Sequence, residues 1–231
     1  MGTITRAFAI VLGLVTVAQA RPHAHSHSHA RHTAKHHHIA TGRSADVPWQ
    51  GRLVDPTQFP DGDGYHIRRP WRSFGTARTV ELVHDVVAKT IADLPDRHVL
   101  AIGDFSAEHG GPITEHASHQ NGHDVDIGLY YNEKPDNYPA SFVSATADNL
   151  DCEATWKLVD NFVKTAGQSG GAKIIFLDFR VQGLLYDWAL ENGVSEAHLA
   201  RVFQYPHGKS SGDGFVRHWP NHDNHIHVRF K

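Results

Sequence analysis

The chain has 231 residues, enough for one sizeable domain with short extensions. Its formal net charge is −3 with histidine neutral, and 40% of its residues are hydrophobic. That composition excludes a nucleic-acid partner held by bulk positive charge, and it excludes a chain too polar to build a core. Histidine is the outlier. There are 21, of which eight lie between His23 and His38 and nine fall in two windows, residues 109–123 and 207–227. Neutral imidazole is the commonest metal ligand, so this clustering makes metal binding the first function class to consider.

Residues 1–20 read as a signal peptide. Arg6 supplies the positive start, residues 7–17 form an apolar run too short to span a bilayer, and Ala18-Gln19-Ala20 has the small-x-small form of a cleavage site. The expected location is periplasmic or secreted, with no stable membrane insertion after cleavage. Residues 21–45 are rich in His, Ala and Ser and carry few bulky apolar side chains, so they read as a disordered segment. Such a segment is either a weak Zn²⁺ or Cu²⁺ binder, a contact for anionic wall polymers, or a plain solvated linker. From Asp46 the composition becomes globular, and residues 46–231 are expected to form a single domain. Cys152 is the only cysteine, so no intrachain disulfide is available; it reads as a small buried hydrophobe rather than a nucleophile.

Within that domain, Val80, Val83, Val87, Ile91 and Leu94 recur at helical spacing and Pro95 follows, which predicts a helix over 76–94. The short apolar run 99–103 predicts a strand. Residues 124–130 alternate, with Asp124, Asp126 and Gly128 facing one way and Val125, Ile127 and Leu129 the other; this predicts a half-buried strand. Helices are expected over 153–166, 181–191 and 195–203, with a strand over 174–177 and Asn192-Gly193 as a stop signal. Residues 225–230 alternate again, placing His225, His227 and Arg229 on one face. Strands and helices mix without a regular βαβ rhythm. The expected class is α+β, a mainly antiparallel sheet with flanking helices.

Two segments carry chemistry. His116-Ala117-Ser118-His119-Gln120-Asn121-Gly122-His123-Asp124-Val125-Asp126 runs from a loop into a strand that presents Asp126 on its polar face. Near the C-terminus, Asn221-His222-Asp223-Asn224-His225-Ile226-His227 ends on a strand whose period of two points both terminal imidazoles to one side. If these strands are neighbours, His119, Asp126 and His227 can meet around one ion, leaving the open fourth position that a catalytic zinc needs. His225 would then stand beside the metal as a general base or electrostatic stabiliser. Each motif alone also fits polar residues on a solvated strand face, and spacing by itself supports only a metal site. A two-His-one-carboxylate iron(II) site has the same ligand types.

Together these residues resemble the penicillin-insensitive murein endopeptidase family, related to D-Ala-D-Ala carboxypeptidases and the hedgehog domain. The resemblance rests on His116-Ala117-Ser118-His119-Gln120-x-Gly122-x-Asp124-Val125-Asp126 and on His222-x-x-His225-x-His227-Val228-Arg229. Ile102-Gly103-Asp104, Gly110-Gly111 and Tyr65-His66-Ile67-Arg68-Arg69-Pro70 with Phe74-Gly75 are also similar. It implies a Zn²⁺ cofactor held by His119, Asp126 and His227, with His225 as catalytic base, His222 as an accessory catalytic residue and His116 beside the metal. The implied partner is the peptide stem of peptidoglycan, and the implied reaction is hydrolysis of its D-Ala to diaminopimelate cross-link. A D,D-carboxypeptidase, an L,D-endopeptidase and a non-catalytic zinc-containing binding module remain open alternatives. The family's second Asp-x-x-His is replaced here by Asp148-Asn149-Leu150-Asp151, which puts a second metal site in doubt.

Overall fold

The computed structural model describes residues 43–231. The expected signal peptide, and all of the His-rich segment except its last three residues, lie outside the described residues. In chain order the elements are β1 (Arg43–Val47), β2 (Gln50–Val54), β3 (Thr57–Gln58), β4 (Tyr65–Ile67), β5 (Phe74–Gly75), α1 (Ala77–Asp93), β6 (Leu100–Ile102) and β7 (Asp124–Gly128). They continue with α2 (Cys152–Lys164), β8 (Ala172–Phe176), α3 (Phe179–Glu191), α4 (Glu196–Val202), β9 (Val216–Arg217) and β10 (His225–Phe230).

The main sheet runs β4-β6-β7-β10-β8-β9 in space. Its three inner pairings are antiparallel, and the two outermost, β4 with β6 and β8 with β9, are parallel. The fold is α+β with a mainly antiparallel sheet, as the hydrophobic patterning predicts. Strands β1 and β2 form a separate hairpin, and β3 pairs with β5. These pieces escape the sequence reading because β3 and β5 span only two residues and the β1 and β2 sequences, RSADV and QGRLV, show no sustained apolar alternation.

Helix boundaries follow local chemistry. Thr76, Asp151, Asp178 and Ser195 sit just before the four α-helices, and each side chain accepts from a backbone N–H in the first turn. A cap of this kind contributes about 1 kcal/mol. The helix predicted over 76–94 is α1 plus its two capping residues. One face of the central strands, Val125 and Ile127 of β7 with Ile226 and Val228 of β10, enters a buried cluster with Val83 and Val87 of α1, Leu158 and Phe162 of α2 and Leu185 of α3.

The expectation of a half-buried β7 needs correction. All five of its residues are buried, including Asp124 and Asp126 on the polar side. The loop over residues 103–123 folds back across that side. It is tied down where Gln120 N–H donates to the Pro48 carbonyl and Gly111 N–H to the Gly51 carbonyl. Gly122, at φ 75°, allows the tight return into β7: a Cβ there would lie 2.8 Å from the Thr76 backbone nitrogen. Cys152 opens α2, free and packed against the core; burial and then Asp151 push its thiol up to about 11, far from thiolate chemistry. No described helix is long and apolar enough to cross a membrane.

Candidate metal centre

The register of β7 against β10 builds the site. Across the antiparallel pair Asp124 faces Arg229, Asp126 faces His227 and Gly128 faces His225. Directly opposed residues bring their side chains together on one face of the sheet. The two strands inferred to carry the chemistry are therefore neighbours, and Asp126 and His227 meet as cross-strand partners. His119 arrives from the covering loop in the left-handed region, φ 65°. Its backbone N–H donates to Asp124 Oδ2 at 3.2 Å, and its Nδ1 lies 2.8 Å from the Phe105 carbonyl oxygen. A non-glycine residue in that region is held there by its surroundings, and such positions cluster at functional sites. Glu115 and Asn221, which both line the adjoining clefts, share the feature.

Three atoms converge. His119 Nε2 is 3.3 Å from Asp126 Oδ1 and 3.2 Å from His227 Nδ1, and His227 Nδ1 is 3.2 Å from Asp126 Oδ1. A tetrahedral zinc with bonds of about 2.0–2.1 Å separates its ligand atoms by about 3.3 Å, so the triangle has the edge lengths of one face of such a site. The His119 Nδ1–H directed at the Phe105 carbonyl leaves its inner nitrogen with a lone pair. His227 Nε2 lies 3.2 Å from Asp124 Oδ1 without forming a hydrogen bond, and a proton on that outer nitrogen would leave Nδ1 a lone pair as well.

The charge balance points the same way. Asp126 is 1% exposed, and its Oδ1 has no hydrogen-bond partner. Among the described residues the basic groups within 4 Å of it are four imidazoles, those of His116, His119, His225 and His227, while Arg68 acts on it only from farther off. Burial opposes its ionisation, yet His119 and His225 hold its carboxyl well below the usual carboxylate range. A buried carboxylate with no Lys or Arg beside it calls for another cation. Asp124 differs, being clamped by Arg229 through contacts of 2.7 and 3.0 Å. Burial disfavours a charged His227, but Asp124 and Asp126 together raise it to about 9. The pair of carboxylates thus draws positive charge to this point, and a divalent ion in place of a proton satisfies the same demand. The donor set fits a metal.

Around this triangle stand the other histidines. His225 Nε2 is 3.6 Å from Asp126 Oδ1, and its Nδ1 is 2.5 Å from Asn224 Oδ1. Its ring stacks on Phe142 at 4.9 Å, and burial, opposed by Asp126, takes it down to about 4. His222 packs 4.7 Å from His225, with Nδ1 2.8 Å from the Pro220 carbonyl; burial lowers it as well. His116 bridges two carboxylates: its Nε2 is 3.0 Å from Asp104 Oδ2 and its Nδ1 is 3.6 Å from Asp126 Oδ2. His116, His119 and Asp126 also offer ligand atoms close enough to share an ion, so either His116 or His227 can complete a three-residue set. The centre sits between two clefts that share Glu115, His116, Asn221 and His225, one of about 460 Å³ and one of about 290 Å³.

All six residues singled out from the sequence, His116, His119, Asp126, His222, His225 and His227, therefore lie in one neighbourhood. Asp148 and Asp151 do not join them. Asp151 caps α2 and pairs with Arg97, while Asp148 is exposed and only its backbone carbonyl has a partner, Asn132. Sequence reasoning gave no role to Asp104, which holds His116, or to Asp124, which backs His227. Asp124 was recoverable, because the alternation already put it on the face of Asp126. Asp104 was not, since only the folded loop brings it beneath His116. Its carboxyl is buried, which opposes ionisation, but His116, Arg72 and Arg69 hold it down to about 2.

The sequence profile of the family described as penicillin-insensitive murein endopeptidase matches residues 50–169. That stretch is more than half of the chain and contains His116, His119 and Asp126; β10 lies beyond it. A comparison with curated proteins finds no match. With the profile covering the covering loop and β7, and the folded chain bringing β10 against them, the chain belongs to the penicillin-insensitive murein endopeptidase family.

Proposed function

We propose that the protein is a zinc-dependent endopeptidase, acting outside the cytoplasmic membrane, that hydrolyses the D-Ala to diaminopimelate cross-link of peptidoglycan. The observation that carries this reading is the triangle of His119 Nε2, Asp126 Oδ1 and His227 Nδ1, with sides of 3.2–3.3 Å, around a buried carboxylate that has no Lys or Arg partner. Those three residues would hold the ion. Zinc there supplies Lewis-acid polarisation of the scissile carbonyl and a water of lowered pKa.

The chain's own residues do the rest. Asn224 accepts the Nδ1 proton of His225, which fixes the tautomer with the Nε2 lone pair facing the centre. Burial keeps that imidazole neutral, so Nε2 takes a proton from the attacking water and passes it to the leaving amine. His222, with Nδ1 turned to the Pro220 carbonyl, presents a lone pair as a neutral ring; this suits a second proton acceptor better than an oxyanion donor. His116, fixed by Asp104, orients the outer oxygen of Asp126. No Ser-x-x-Lys tetrapeptide occurs in the chain, so there is no acylation site of that kind for a β-lactam.

The test incubates purified muropeptide dimers with enzyme alone, with enzyme plus penicillin, and with enzyme plus a zinc chelator. Monomers are expected in the first two and none in the third. Inhibition by penicillin, cleavage that survives complete zinc removal, or release of terminal D-Ala without monomers would overturn the proposal.

A further inference from the structure

The smaller cleft beside the centre is lined by Arg68, Arg69, Asp104, Glu115 and Phe142 together with His116, Asp126 and His225. Its three carboxylates, Asp104, Glu115 and Asp126, differ in their partners. Arg69 contacts Asp104 at 2.9 Å and Glu115 at 2.7 Å, and Arg72 contacts Asp104 at 2.9 Å. Two guanidiniums thus neutralise Asp104 and Glu115, and Asp126 is a proposed ligand of the ion. Arg68 remains. Its Nε donates to the Ala140 carbonyl at 3.1 Å, its Cζ lies 4.0 Å over the Phe142 ring, and among the described residues it forms no ion pair.

Arg68 is nevertheless half-buried, where an unpaired charge is disfavoured. Ordering by Phe142 and Ala140 leaves the terminal nitrogens of a flat, pre-set fork open to the cleft. Phe142 also stacks on His225, so a single aromatic ring links the free guanidinium to the proposed base. A planar guanidinium held in this way is suited to bidentate recognition of a carboxylate.

We propose that Arg68 forms a carboxylate-binding subsite, which holds a free carboxylate of the substrate next to the scissile amide. This rests on the murein endopeptidase reading and sharpens it. In a D-Ala to diaminopimelate cross-link, the carbon bonded to the scissile nitrogen itself bears a carboxylate. The subsite therefore selects the amine-side residue of the bond, and amidation of that carboxylate removes the group it reads. Arg68 acts on substrate binding and orientation, and zinc loading does not depend on it.

The experiment uses zinc-loaded wild-type enzyme, Arg68→Met and Arg68→Lys. Two muropeptide dimers that differ only in a free or amidated carboxylate at the cross-link are compared by kcat/KM. The matching amine-side stem peptides are compared by calorimetry. Wild-type enzyme should favour the free carboxylate about 10- to 100-fold, the range expected for hydrogen bonds to a charged group. Arg68→Met should abolish the preference by slowing the carboxylate dimer alone, with zinc content unchanged, and Arg68→Lys should restore part of it. Equal slowing of both dimers would show a purely structural role through Phe142 and overturn the subsite. So would a wild-type enzyme with no preference in cleavage or in binding, even if it cleaves both dimers and the cross-link reading stands. Failure to cleave either dimer, with an Arg68-dependent binding preference intact, would instead overturn the cross-link reading and leave the subsite in place.

Discussion

The two faces of the β7–β10 pair are made from the same eleven residues and behave as opposites. On one, Val125, Ile127, Ile226 and Val228 are 0% exposed and join the apolar cluster under α1, α2 and α3. On the other, Asp124, Asp126 and His227 are also buried, at 0%, 1% and 6% exposure, yet they meet imidazoles, the Arg229 guanidinium and the Phe176 ring. Burial stabilises the first face through apolar area removed from water. On the second it works against stability, because two carboxylates lose solvent and only one, Asp124, gains an arginine. A sheet that tolerates this second face must receive something for it there, and a bound cation is the group the donor set fits. The apolar face should thus govern stability and the polar face activity.

The sharpest way to break that division lies within β10. His225 and His227 are two residues apart on one strand face, but only His227 belongs to the atom triangle. His227→Ala should lose zinc and with it nearly all turnover. His225→Ala should keep zinc and lose about 10²- to 10⁴-fold in kcat, the usual contribution of a positioned general base. Metal analysis beside steady-state kinetics separates the two. Loss of zinc from His225→Ala would make it a fourth ligand, and full occupancy in His227→Ala would remove it from the proposed set.

The apolar face should give the reverse outcome. Ile127 is fully buried and faces Ile226 on β10 and Ile102 on β6. Ile127→Ala removes side-chain volume and leaves a cavity, which should lower unfolding free energy by about 2–5 kcal/mol. Activity per folded, zinc-loaded molecule should stay within a few-fold of wild type. Denaturant unfolding and active-site titration of the same preparation check both halves. If turnover collapses while the protein remains folded and loaded, the faces are coupled and the division fails.

Much of this division was legible beforehand, because period-two alternation in residues 124–128 and 225–230 assigns each side chain to a face without knowledge of the partner strand. Helix α1 was legible through its apolar spacing and Pro95. What alternation could not supply was depth. The polar face of β7 read as solvated because nothing local announces that residues 103–123 fold back over it. The same lack hid Asp104 and Arg68, whose partners Phe142 and His116 are brought to them only by the tertiary fold. The hairpin of β1 and β2 was lost for another reason: RSADV and QGRLV are as long as β7 but do not alternate apolar with polar residues throughout.

Asp124 tests whether the polar face works as one unit. It touches neither cleft, yet it supports two of the proposed ligands at once. Its Oδ2 accepts the backbone N–H of His119 at 3.2 Å, and its Oδ1 lies 3.2 Å from His227 Nε2. Arg229 holds it in place from across the strand pair. Asp124→Asn keeps the shape and an oxygen for Arg229, but removes the charge that orients and polarises the His227 ring. Substitutions behind a ligating histidine typically lower metal affinity or activity about 10- to 100-fold. The expected outcome is a fall of that size in zinc affinity, measured by competition with a chelator of known strength. At saturating zinc, kcat should return to within a few-fold of wild type, because His225 and the cleft are untouched. Unchanged zinc affinity would mean that His227 needs no support from Asp124. An unrecovered kcat would mean that Asp124 acts on the reaction itself, through the position of His119 in the loop.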